Sequence, residues 1–170
     1  SIDNNNYDAQ YWVKHFLNVK PADDSNQHTQ DYIQMCNDFS EEIIKEDQGL
    51  HEKNKFLAKT VDFFKENEIV NIQDYKDMIF EEDDKNKTKF DDYKKHFEQV
   101  NDVLIRNQFD VSDIVLKKQK TKLKTEIKLD THIQIKLDID APDAAAEYIE
   151  KGYDEEKKMK FYKVYFNEES

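Results

Sequence analysis

Near residue 110 the spacing of apolar side chains changes from steps of three and four to steps of two, and no other feature constrains the fold as much. Upstream the pattern is helical. Tyr7, Tyr11, Trp12, Val13, Phe16 and Leu17 recur at helical intervals, and Pro21 closes that segment. Tyr32, Cys36, Phe39 and Ile43 predict a helix over about 26–46, with Gly49 as punctuation behind it. Leu57, Val61 and Phe64, widened by Phe56 and Phe63, predict another over about 51–66. Asn71 suits a helix cap, with Ile72, Tyr75 and Ile79 facing inward. The run Glu81–Lys87 carries no apolar residue and reads as an exposed loop. After it, Phe90, Tyr93, Phe97 and Val100 predict a helix over about 87–101. Aromatic stripes of this kind could line a ligand slot, but helix packing alone accounts for their period.

Downstream, Leu123, Thr125, Ile127 and Leu129 alternate with Lys122, Lys124, Glu126 and Lys128. Ile133, Ile135, Leu137 and Ile139 alternate with Gln134, Lys136 and Asp138 in the same way. Alternation marks strands with one buried and one wet face. Asp130-Thr131 is either the turn of a hairpin or a bulge in one long strand. Pro142–Lys151 predicts a short helix, with proline in its first turn and Gly152 just past its end. A last strand, over about 159–166, is apolar on both faces, so Phe161, Val164 and Phe166 are expected to be buried. The expected fold class is α+β. About five helices make an acidic region, residues 1–110, followed by a small, mostly antiparallel sheet with one short helix in residues 111–170, the two packed as one domain.

Charge follows the same division. Residues 1–110 hold 14 basic and 25 acidic side chains, and residues 111–170 hold 12 and 13, within a net charge of −12. Proteins that bind DNA gain affinity by neutralising phosphates with lysine and arginine, so the chain as a whole repels a polyanion. One stretch departs from this. Lys117, Lys118, Lys120, Lys122, Lys124 and Lys128 stand against Glu126 alone within residues 114–128. Lys122, Lys124 and Lys128 would share one strand face, joined by Lys136 if the hairpin forms. Such a face suits a phosphate backbone. Edge lysines also serve simply to keep strands from aggregating.

Catalytic chemistry is not signalled. His15, His28, His51, His96 and His132 form no pair at metal-ligand spacing, and His51-Glu52 lacks the second histidine of a zinc helix. Two glycines cannot build a phosphate loop, and Ser25, Ser40 and Ser112 lack the glycine neighbours of a strained nucleophile turn. Asp138 with Asp140, and Asp154 with Glu155 and Glu156, have the chemistry of a hard-cation site, but solvated strand ends and turns also explain them. Cys36 has no internal disulfide partner, and its apolar stripe predicts a packed thiol in a reducing compartment. No run approaches the ~18 apolar residues of a membrane helix, and no signal peptide opens the chain. A cytoplasmic, non-enzymatic binding protein with no cofactor and no membrane partner is expected.

Three stretches carry a family resemblance: YWVKHFLNVK at Tyr11–Lys20, FDVS at Phe109–Ser112 leading into Val115-Leu116-Lys117-Lys118-Gln119, and IEKGYDEEKKMKFYKVYF at Ile149–Phe166. In this order the chain resembles, over nearly its whole length, the C-terminal half of bacterial nucleoid-associated proteins of the NdpA type. Glu150–Phe166 is the most specific stretch. Lys158 departs from the pattern, standing where glycine is expected in the turn before the last strand. The resemblance implies a protein of the bacterial nucleoid that binds double-stranded DNA, and a second copy of itself or another nucleoid protein is a further candidate partner. It also implies an N-terminal half beyond this chain and no agreed catalytic residues. The alternative is a protein–protein interaction or dimerisation module that never touches DNA. A third reading is an enzyme half completed by the N-terminal region.

Overall fold

Pro21 lacks a backbone donor, and it stands in the first turn of α1 (Pro21–Phe39), where such a donor would find no partner within the helix. The fold is that of a computed structural model which describes residues 21–123, 125–140 and 147–170. The helical segment predicted before Pro21, the residue Lys124 and most of the predicted 142–151 helix lie outside these. From α1 the chain runs through a π-helical turn (Ser40–Ile44) into α2 (Lys45–Gln48). It stops at Gly49, whose φ of +93° is one that other residues rarely adopt. There follow α3 (Leu50–Glu66), β1 (Ile69–Asn71), α4 (Ile72–Phe80), α5 (Asp84–Asn101), β2 (Gln108–Asp110) and α6 (Asp113–Lys120). Two hairpins complete the described chain, β3 (Glu126–Lys128) with β4 (Gln134–Lys136) and β5 (Ile149–Asp154) with β6 (Met159–Val164). The fold is α+β, as the switch in period predicts.

Helix starts follow capping chemistry. The Asn71 side chain accepts from the N–H groups of Gln73 and Asp74, Asp83 from Asn86, and Ser112 from Val115. Burial then follows the stripes. Tyr32, Phe39, Phe64, Tyr75 and Phe90 are fully buried and meet in tilted and edge-to-face pairs, with Tyr32–Tyr75 and Phe39–Phe90 ring centroids 5.3 Å apart at 89° and 86°. The β1–β2 ribbon, with Val70 opposite Phe109, brings Phe109 to 5.5 Å from Tyr32 and so ties the chain after α5 back to α1. α6 is fastened to the same helix, because the Ser112 N–H donates to Thr29 Oγ1 (2.9 Å) and its hydroxyl to Asn26 Oδ1. Within the core Thr60 gives its proton to the Phe56 carbonyl, so the Tyr75 hydroxyl donates to Thr60 (2.8 Å) and receives the Cys36 thiol (3.4 Å). Burial pushes that thiol up to about 12, so it is packed and inert, as expected.

The hairpins carry a small second cluster, in which Leu137 and Ile149 are buried against Ile135 and Tyr162. The Leu129 N–H donates to the Ile133 carbonyl and closes the loop around Asp130 and Thr131, so the open choice at these residues resolves to a hairpin.

Four expectations need correction. Residues 81–87 are not a continuous loop: Asp83 caps α5, and 84–87 form its first turn, which needs no apolar residue and gains from an acid at the helix start. Val100 is 67% exposed, since the last turn of α5 passes the core edge. Ile149–Lys151 lie in β5 and not at the end of a helix, and Gly152 is inside that strand, where a Cβ would overlap the Phe161 ring across the ladder. Finally, Phe161, Val164 and Phe166 are 40%, 54% and 70% exposed. Burial on both faces requires a covering layer, and β6 pairs only with β5 among the described strands.

Candidate nucleic-acid interface

The lysines predicted as contacts fall on three elements. Lys117, Lys118 and Lys120 occupy the last turn of α6, where ammonium groups complement the partial negative charge of a helix C-terminus. Val115, Leu116 and Gln119 form the buried side of that helix, which leaves Lys117 and Lys118 exposed. Lys120 is engaged by Asp140, which also receives Lys65, and the two ammonium groups hold that carboxyl below its usual range through their hydrogen bonds. Lys122 lies in the turn after α6, not on a strand, and Lys124 lies outside the described residues. Lys128 and Lys136 do share a face. In the register Glu126↔Lys136 and Lys128↔Gln134, the even-numbered residues point outward while Ile127 is buried behind them.

The hairpins bring further lysines together that sequence reasoning did not single out. A cleft of about 430 Å³ opens between the β3–β4 loop side and the tip of the β5–β6 hairpin, lined by Lys128, Lys151, Lys158 and Lys160 together with Phe161 and Tyr162. The signal was available in Lys158-Met159-Lys160-Phe161, where basic and apolar residues alternate. Lys151 was hidden by its assignment to a helix. Lys158 has a φ of +52°, the left-handed region that favours glycine, so the turn keeps the conformation glycine would adopt while carrying an ammonium group. Asp154 supports this turn by accepting from the N–H groups of Glu156 and Lys157.

Ion pairing separates these lysines from the rest. Among the described residues, Lys45, Lys53, Lys65, Lys76, Lys87, Lys89 and Lys94 pair with carboxylates, for example Lys76–Asp91 at 2.8 Å and Lys87–Asp77 at 3.0 Å. Beyond residue 110 only Lys120 does so among the described lysines. Two carboxylates there accept from backbone instead: Asp138 from the Asp140 N–H, and Asp154 from its own turn. Two histidines in the helical part, His28 and His51, have ordinary values lowered chiefly by burial, and their Nε2 and Nδ1 respectively find no hydrogen-bond partner. Among the described residues no helix is long and apolar enough to cross a membrane.

Comparison with curated proteins and with solved structures returned no match. A family model described as nucleoid-associated protein YejK matches residues 1–160. The aligned span takes in the first two stretches that carry the NdpA-type resemblance and the third as far as Lys160, and the chain belongs to this family of bacterial nucleoid-associated proteins.

Proposed function

We propose that the chain serves its nucleoid-associated role by direct, sequence-independent contact with DNA phosphates, made by the lysines beyond residue 110, and that it does so without catalysis. The observation that carries this reading is the pairing pattern. Lys117, Lys118, Lys122, Lys128 and Lys136 have no carboxylate partner among the described residues, so their charge is available to a polyanion despite the net charge of −12. Binding is favoured over chemistry because the Cys36 thiol is buried with its pKa pushed to about 12, and Asp138 and Asp154 are committed to backbone turns. Fluorescence anisotropy of a labelled duplex across a salt series tests the proposal. Five phosphate contacts give a slope of log affinity against log salt of about −4.5, at roughly −0.9 per phosphate. An affinity that does not change with salt overturns it.

A second reading has its own observation. Tyr153, Met159, Val164 and Phe166 are exposed on or beside the β5–β6 ribbon, which is the composition of a protein-binding surface. On that reading the chain is an interaction or dimerisation module, and sedimentation equilibrium of wild type against Val164→Lys detects a self-association that the substitution abolishes.

A further inference from the structure

Four ammonium groups line the cleft between the two hairpins, from Lys128, Lys151, Lys158 and Lys160, with Asp130 as the carboxylate among them and Phe161 beside them. None of the four is ion-paired among the described residues, and each is exposed. The volume, about 430 Å³, lies within the ~300–1,000 Å³ of sites that enclose one small ligand, which is room for a nucleotide unit and not for a double helix. A basic groove with an aromatic face beside it is also how proteins hold single strands: the lysines follow the backbone and the ring stacks on a base.

We infer that this cleft takes one strand of nucleic acid, with phosphates on Lys128, Lys151, Lys158 and Lys160 and a base against Phe161. The inference rests on the phosphate-binding reading above and adds to it a second site with a different substrate class. Lys117, Lys118 and Lys122 stand on α6 and the turn after it, outside the cleft, so duplex and single strand share Lys128 and otherwise engage different lysines. Lys158 also contributes a distinct signature. Its positive φ makes lysine a poorer choice than glycine for the turn itself, so a gain of fold stability on substitution accompanies a loss of binding.

The test uses the 170-residue chain with a labelled twelve-residue oligothymidylate and a duplex of the same length, each titrated by anisotropy over a salt series. For a single strand each phosphate contributes about −0.7 to the slope, so four contacts give roughly −3. The variant Lys151→Gln/Lys160→Gln flattens the single-strand slope by about 1.4 units and leaves the duplex slope as in wild type. The variant Lys117→Gln/Lys118→Gln/Lys122→Gln does the reverse. Lys158→Gly raises the melting temperature and flattens the single-strand slope by about 0.7. A cleft variant that binds the single strand as wild type does, while the α6 variant still loses duplex affinity, overturns the inference and leaves the phosphate reading standing. A cleft variant that loses both substrates equally also overturns it, because the cleft is then part of the duplex surface. Absence of binding to either substrate by wild type at low salt removes both.

Discussion

The regions on either side of residue 110 carry similar numbers of described lysines and use them in opposite ways. In the helical region Lys45, Lys53, Lys76, Lys87, Lys89 and Lys94 are held by carboxylates within the same region, and Lys65 by Asp140. In the hairpin region Lys120 alone among the described lysines is held so. Aromatic side chains show the same contrast. The helical region buries Tyr32, Phe39, Phe64, Tyr75 and Phe90 completely, whereas Tyr153, Phe161, Tyr165 and Phe166 stand exposed. A region that satisfies its charges and rings internally is specialised for holding a fold. One that leaves both facing outward keeps them available for contact, which is what the proposed function uses.

The largest expected effect comes from the core. Phe39→Ala or Phe90→Ala should cost about 3–5 kcal/mol, the usual range for emptying a packed phenylalanine site, measured by urea denaturation. Phe166→Ala should stay within about 0.5 kcal/mol, as for a surface change. Equal costs would erase the contrast between the regions.

Charge removal gives the next effect. Lys53 is buried while its partner Glu41 is half exposed, so Glu41→Gln strands an ammonium group and should cost about 1–3 kcal/mol. Lys163→Gln, at an exposed strand position opposite Glu150 with the ammonium group 6.0 Å from the Tyr165 ring, should change stability by less than about 0.5 kcal/mol. Denaturation of both variants in one buffer sharpens the comparison. A larger loss for Lys163→Gln would reverse it.

The smallest effect is on pH. His51 is kept neutral mainly by burial, so its folded pKa lies below the ordinary 6.5. Its contribution is present above 6.5 and lost as pH falls through the lowered value, and His28 acts in the same direction. Melting temperature should therefore fall as pH drops below 6.5, before Glu41 protonates below its own ordinary value of 4.5. His51→Gln should shrink the first step and leave the second. An unchanged first step in that variant would show that His51 is not the group responsible.

Legibility in the sequence followed the same divide, for physical reasons. Ile72, Tyr75, Ile79, Phe90, Tyr93 and Phe97 are buried as their spacing predicts, and Asn71 caps as its chemistry predicts, because helix burial is dictated by local period. β1 and β2 have three residues each, too few to display a period. The start of α5 and the whole of α6 are rich in charged residues, so a search for apolar stripes passes over them, although Ser112 is a cap signal for α6. At the hairpins the pattern identified strands but not what covers them. An apolar residue on a two-stranded ribbon stays wet whatever its neighbours in sequence, and Phe161 and Val164 show this. The lysine cleft needed tertiary structure, since Lys128 and Lys158 are brought together only by the approach of two hairpins.

On the proposed reading, unpaired lysines beyond residue 110, and not lysines in general, supply the contact with DNA. Two triple variants of equal charge change decide it: Lys117→Gln/Lys118→Gln/Lys122→Gln and Lys76→Gln/Lys87→Gln/Lys89→Gln, each titrated with a labelled duplex over a salt series. The first should flatten the slope of log affinity against log salt by about 3 units, at roughly 0.9 per phosphate, and the second should leave the slope at the wild-type value. Equal flattening by the two sets, or a larger change from the second, would contradict the claim.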